Sequence, residues 1–348
     1  MSPLLDVEGL SVSFSTPDGV VQAVRGISFS VDPGETLGIV GESGSGKSVA
    51  TQTMVGLTAG AEISGRAIFQ GHDLLRMSQE ELRQVRGARI GMIFQDPLSS
   101  LHPYYRVGWQ IAEMIRAHEK VSKATARERA VELLGRVGIP RPRERVDDYP
   151  HQFSGGMRQR AMIAMALALN PALLVADEPT TALDVTVQAQ IMELIKQLQR
   201  EFHIAVILIT HDLGVVADMA DEVMVMYAGR AMEVAGRRAT YYSPHHPYTV
   251  GLLGSLPQHG GESDRLRSIR GQPPSLINPP SGCPFNPRCD FVMPRCAAET
   301  PPLRDVGDEP GHRSACWLPT HLVGTGAEVD AGRKRAADEE RQVESVQP

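Results

Sequence analysis

A chain of 348 residues, 42% apolar and 22% charged, has the composition of a globular protein with room for two or three domains of about 150 residues, which excludes a fibrous or wholly disordered protein. Thirty-five Lys and Arg against 41 Asp and Glu give a net charge of −6, which argues against a dedicated nucleic-acid binder, whose phosphate contacts need a basic footprint. The longest apolar run, Ala161 to Leu169, is nine residues against the roughly 20 of a membrane span. The start, Met1 to Glu8, lacks the basic region of a secretory signal, so the expectation is a soluble chain that stays in the cytoplasm.

In chain order, Leu10-Ser-Val-Ser-Phe14 reads as an N-terminal strand. Thr36–Val40 is a short Ile/Val/Leu-type run that ends in Gly41-Glu-Ser-Gly-Ser-Gly-Lys47-Ser48. A strand followed by this spacing is the context of a P-loop. Gly41, Gly44 and Gly46 let backbone N–H groups, with Ser43 and Ser45, turn around a polyphosphate, and the next helix adds its positive end. Lys47 then reaches the β- and γ-phosphates, and the Ser48 hydroxyl ligates Mg²⁺.

Further buried runs follow: Ile90–Phe94 before Gln95, Leu173–Ala176 before Asp177 and Glu178, and Ala205–Ile209 before Thr210 and His211. Short apolar strands with polar groups at their C-terminal ends predict a parallel sheet covered on both faces, with its chemistry at the carboxyl edge. Asp177 is placed to hold Mg²⁺ and Glu178 to face an attacking water. Helices are expected between the strands, at 123–137 and at 190–202, where Ile191, Leu194, Ile195, Leu198 and Phe202 recur at helical spacing. No internal repeat is evident, and each nucleotide motif occurs once.

Phe153-Ser-Gly-Gly-Met157 opens a helix with a second anion-binding geometry in a chain that already has one phosphate cradle. Here the chain resembles the nucleotide-binding subunits of ABC transporters, whose signature is usually Leu-Ser-Gly-Gly-Gln; Phe153 and Met157 depart from it. The resemblance implies an α/β fold, a P-loop ABC ATPase cassette with a mixed sheet flanked by helices. That cassette would cover residues 1–255, with a helical subdomain at about 97–170. It also implies that Ser154, Gly155 and Gly156 close over the γ-phosphate held by another subunit, and that Gln95 is the Q-loop glutamine near Mg²⁺. Ala182-Leu183-Asp184 matches the D-loop, His211 the switch histidine, and Phe14 the aromatic stacked on adenine. Glu178, His211 and Lys47 would be the catalytic groups.

Residues 256–322 hold a crowd of prolines and all four cysteines, and 323–348 read as a disordered tail. Ser243-Pro-His-His-Pro-Tyr-Thr249, Gly271-Gln-Pro-Pro-Ser275 and Gly282-Cys-Pro-Phe-Asn-Pro-Arg-Cys289 are similar to the C-terminal region of oligopeptide, dipeptide and nickel importer ATPases. That similarity implies an ATPase energising peptide import. Its partners would be a second, different ATPase subunit, two transmembrane permease subunits and an extracellular binding protein, and it would sit at the cytoplasmic face of the cell membrane. The rivals are a nickel importer of the same group and a non-transport ATPase of nucleic acid or ribosomes. Against the latter, Lys47 and Ser154 are 107 residues apart with no sustained heptads between them.

Cys283, Cys289, Cys296 and Cys316 are separated by five, six and nineteen residues. Clustered cysteines in a reducing compartment suggest a metal site, and structural zinc favours shorter gaps. The layout resembles the [4Fe–4S] region of some peptide-importer ATPases, with zinc as the alternative.

Overall fold

A computed structural model of the chain describes residues 2–181, 183–255, 269–307, 309–319 and 323. Ala182 of the expected D-loop, positions 256–268 and 320–322 of the cysteine-rich region, and the expected tail from 324 lie outside the described residues.

Among the described residues, twelve strands build two sheets. Strands β1 (Leu5–Thr16), β2 (Gly19–Val31), β4 (Ala61–Phe69) and β5 (His72–Asp73) form an antiparallel sheet in the order β2-β1-β4-β5. Strand β3 (Thr36–Val40) belongs instead to an eight-stranded mixed sheet. Its other members are β6 (Ile90–Ile93), β7 (Leu173–Asp177), β8 (Ala205–Thr210), β9 (Glu222–Tyr227), β10 (Arg230–Gly236), β11 (Arg304–Asp305) and β12 (Arg313–Ser314). Their order is β11-β12-β10-β9-β3-β8-β7-β6, parallel from β9 to β6 and antiparallel beyond β9. The segment that carries the cysteines therefore adds two short strands to the edge of this sheet.

Every residue of β3, β7 and β8 is buried, as their unbroken apolar runs require. Alternate residues face opposite layers. Ile39, Val175 and Ile207 pack with Leu10, Val24 and Phe29 of the antiparallel sheet. Leu174, Ala176, Val206 and Leu208 pack instead with Ile191, Leu194 and Ile195 of the helix Val185–Phe202.

That helix starts five residues before the apolar repeat because Asp184 caps it, its carboxylate accepting from the Val187 N–H at 3.0 Å. The helix expected at 123–137 is Lys123–Arg136; it shares its core with Val107–His118 and the signature helix Gly155–Ala166. Strand β6 stops at Ile93, one residue before the expected end, where the chain turns toward Gln95.

Candidate nucleotide site

Strand β3 leads into the loop Gly41–Ser48, and the helix Lys47–Met54 leaves it. Gly41, Gly44 and Gly46 take φ of 150°, 78° and 98°. A Cβ on Gly41 would stand 2.1 Å from the Met226 carbonyl oxygen, and one on Gly46 would stand 2.2 Å from that of Ala23. Only glycine meets both the torsion and the clearance. Ser43 and Gly44 form the exposed lip and Ser45 is buried.

Lys47 is only 5% exposed. Its ammonium donates to the carbonyl oxygens of Gly41 (2.8 Å) and Glu42 (2.9 Å), which holds it in the mouth of the loop. Burial pulls its pKa down, and the charges of Glu178, Asp177 and Glu42 oppose that shift.

Ser48 Oγ donates to Asp177 Oδ1 at 2.7 Å, so the residue after the lysine meets the last residue of β7. Gln52 Nε2, one helical turn on, donates to Asp177 Oδ2 at 3.4 Å. Burial raises the Asp177 pKa, and the hydrogen bond from Ser48 works against that rise. A buried carboxylate beside a hydroxyl is a hard-oxygen pair that suits Mg²⁺.

Glu178 follows in the left-handed region, at φ 46°, an uncommon torsion for a side chain of its size. Its carboxylate is approached from three directions. Gln95 Nε2 donates to Oε2 at 3.0 Å, Thr181 Oγ1 donates to the same oxygen at 2.8 Å, and His211 Nδ1 lies 3.4 Å from Oε1. These groups come from the ends of β6, β7 and β8, which are consecutive in the sheet. The His211 side chain is 61% exposed, so it reaches the carboxylate from the solvent side.

The structure thus brings Lys47, Ser48, Gln95, Asp177, Glu178 and His211 to one edge. Ser154, Gly155 and Gly156 stand apart. Ser154 Oγ caps its own helix by accepting from the Met157 N–H at 3.3 Å. Among the described residues, no hydrogen bond ties these three to the loop or to the two acids. Asp184 is likewise a helix cap. Phe14 lies near the end of β1, paired with Val21 and Ala61 and half-buried against the core of the antiparallel sheet.

Sequence reasoning passed over Gln52 and Thr181. Each had a signal: Gln52 is four residues beyond Ser48 on a helix, and Thr181 is three beyond Glu178 in a turn. That spacing lets Thr181 reach the Glu178 carboxylate and puts Gln52 on the helix face of Ser48, where both donate to Asp177.

The four cysteines are gathered in one place. Cys283, Cys289, Cys296 and Cys316 are free thiols that line one small apolar cavity with His246, Phe285, Phe291 and Met293. Among the described residues, however, no three His, Cys, Asp or Glu side chains stand close enough to hold a metal ion. That arrangement does not by itself support the expected [4Fe–4S] cluster or zinc. Two of the sulfurs accept local backbone hydrogen bonds: Phe291 N–H donates to Cys289 Sγ and Leu318 N–H to Cys316 Sγ, each at 3.4 Å. Burial pushes the Cys283 thiol up to about 11 and Cys316 up to about 12, and moves Cys289 the same way. Burial thus favours the protonated thiol at each.

Comparison with known proteins bears on both halves of the chain. Residues 24–181 match the ABC transporter family, and residues 232–296 match the oligopeptide/dipeptide transporter C-terminal region. The oligopeptide transport ATP-binding protein OppD of Escherichia coli is 53% identical over 317 residues, covering 91% of this chain and 93% of the relative. The dipeptide transport ATP-binding protein DppD of Bacillus subtilis is 52% identical over 321 residues, covering 91% and 95%. Among solved structures, a dimeric ATP-binding cassette in a post-hydrolysis state with ADP and phosphate superposes with a TM-score of 0.61 at 26% identity, over 67% of this chain and 99% of that one. A cassette of a Clostridium perfringens ABC transporter complex superposes with a TM-score of 0.59 at 30% identity, over 69% of this chain and 91% of that one. With its phosphate loop, paired acids and C-terminal region all accounted for, this chain belongs to the ABC transporter family, among the ATP-binding proteins of oligopeptide and dipeptide transport.

Proposed function

We propose that the chain is the ATP-hydrolysing subunit of an importer of di- and oligopeptides, docked at the cytoplasmic face of the cell membrane. One observation carries this reading. Lys47, Ser48, Asp177 and Glu178 converge at the sheet edge of a chain whose C-terminal region matches that of peptide transporters.

The loop backbone and Lys47 bind the polyphosphate of ATP. Glu178 takes the proton of the attacking water, and Gln95, Thr181 and His211 orient its carboxylate. Ser48, Asp177 and Gln95 would hold Mg²⁺, which supplies charge neutralisation at the phosphates. Ser154, Gly155, Gly156 and Asp184 serve nucleotide bound by a second ATPase subunit, since they make no hydrogen bond to the loop of their own chain among the described residues. Phe14 stacks on the adenine. We take the partner ATPase to be a different chain, with two permease subunits and an extracellular binding protein completing the transporter.

Purification of the chain from its native membrane, with identification of its companions, tests the assembly. Permease subunits should copurify, and the reconstituted complex should take up labelled di- or tripeptides only with MgATP. Ribosomes or DNA as the sole companions, or nickel uptake without peptide uptake, would overturn the reading.

A metal at the four cysteines is a narrower proposal, supported by their sharing one cavity. Binding would deprotonate the thiols and draw them together, so that metal affinity and local folding are coupled. Protein purified without oxygen should contain about four irons per chain with matching sulfide if the cluster is [4Fe–4S]. Stoichiometric zinc would select the other metal, and a fully folded chain with neither would end the proposal.

A further inference from the structure

Glu42 is an acid inside a loop built to attract anions. It is the second residue of Gly41–Ser48, where backbone N–H groups and Lys47 are arranged for phosphate. A bare carboxylate there opposes the loop's purpose, because like charges in a partly buried site repel strongly. The structure answers that charge from the far end of the chain.

Arg288, 246 positions away, meets Glu42 in a two-pronged contact: Nη1 to Oε2 at 2.5 Å and Nη2 to Oε1 at 3.0 Å. The Arg288 side chain is only 4% exposed. Its remaining donors are spoken for. Nε donates to the Arg270 carbonyl oxygen at 2.8 Å, and Nη1 also reaches Tyr227 Oη at 3.2 Å, with the guanidinium over the Tyr227 ring. A planar fork held on several sides leaves little freedom, which is why arginine rather than lysine suits such a seat.

The backbone of Glu42 is held as well. Its N–H donates to Tyr248 Oη at 3.0 Å, and its carbonyl oxygen accepts from Lys47 Nζ at 2.9 Å. Tyr248 is fully buried in the helix Pro247–Gly254. Its ring lies 4.6 Å from Tyr227 and 5.2 Å from Phe285. Phe285 precedes and Arg288 ends the single turn Asn286–Arg288, which immediately precedes Cys289. Asn286 Nδ2 ties that turn to the carbonyl oxygens of Ser281 and Cys283 at 2.9 and 2.7 Å.

We infer that Arg288 is a positioning residue of the nucleotide site: by neutralising and anchoring Glu42, the cysteine-bearing C-terminal region completes the phosphate loop of the cassette. The region thereby acts on ATP affinity without touching ATP. Because breaking one side of a buried ion pair leaves an uncompensated charge, loss of Arg288 leaves Glu42 negative beside the phosphates. The inference rests on the reading of Gly41–Ser48 as the ATP loop.

The test is equilibrium binding of a fluorescent ATP analogue with Mg²⁺ to the full chain, paired with steady-state hydrolysis by the assembled transporter. Arg288→Met keeps the aliphatic stem against Tyr227 and removes the charge. It should raise Kd about tenfold or more and raise KM in parallel, with kcat at saturating ATP within about twofold, the pattern of lost binding rather than lost chemistry. Arg288→Lys should recover part of the loss. Adding Glu42→Gln to Arg288→Met should restore most of it, because the charge that Arg288 answers is then gone; a merely structural role predicts no such rescue.

An unchanged Kd for Arg288→Met would overturn the inference, as would a double variant as weak as Arg288→Met alone. Should Arg288→Met fail to fold, Arg288→Lys with and without Glu42→Gln decides: the proposal requires the second substitution to tighten binding. A parent chain that binds no MgATP, with Lys47→Ala indistinguishable from it, would overturn the functional reading and this inference with it.

Discussion

Glu178 shows how one side chain is held in place by its neighbours. Its backbone sits at a positive φ while its N–H donates to the Ile209 carbonyl oxygen at 2.8 Å, which pins the turn to β8. Gln95, Thr181 and His211 then leave the carboxylate little rotational freedom. Glu178→Gln should therefore keep MgATP binding and slow hydrolysis by the assembled transporter by a factor of about 10² to 10⁴, the scale of a lost general base. Hydrolysis at the parent rate would remove Glu178 from that role. Lys47→Ala should act earlier, on binding itself. Gly46→Ala belongs with it: the new Cβ meets the Ala23 carbonyl oxygen at 2.2 Å in a torsion that disfavours any side chain. Titration with the fluorescent nucleotide should show binding abolished, and parent-like affinity would mean that the loop reshapes freely.

At the scale of elements, the candidate nucleotide edge exists because β6, β7, β8 and β3 lie side by side with their C-terminal ends level, Asp177 opposite Ile209 and Val40 opposite Thr210. Register is maintained by residues buried on both faces. Ile207, at the centre of β8 and fully buried, should cost about 2–5 kcal/mol when truncated to alanine, read as a lower urea midpoint. Helix caps do a second kind of work. Ser154→Ala removes the hydroxyl that caps the signature helix, a loss of about 1 kcal/mol in stability. If Ser154 serves the partner's nucleotide as proposed, its effect on ATPase activity should appear only in the assembled transporter. An equal effect on nucleotide binding by the isolated chain would place Ser154 at its own loop instead.

For the whole molecule, residues 246 positions apart meet beside the candidate nucleotide loop. The cysteine-bearing segment adds β11 and β12 to the main sheet and sends Arg288 to Glu42, so the C-terminal region is physically part of the cassette. The signature residues have no hydrogen-bonded counterpart in the loop of their own chain among the described residues. The isolated chain should accordingly hydrolyse ATP slowly, and turnover should rise when the partner ATPase and permease are added. Rapid hydrolysis by a chain shown to be monomeric by light scattering would contradict the two-subunit site.

By itself, the sequence determined whatever is local. The buried strands could be read because residues covered on both faces must be apolar without a break, and the loop because its glycines, lysine and serine are consecutive. Asp177, Glu178 and His211 were legible for the same reason, each following its strand directly. Tertiary structure alone decided the pairings between distant positions. Gln95 meets Glu178 across 83 positions, Ser48 meets Asp177 across 129, and Arg288 meets Glu42 across 246. Spacing along the chain singled out the cysteines, but only the fold shows that all four line one cavity. Distances between side chains depend on strand order and on which backbone groups hold each turn, and neither is written in the interval between two residues.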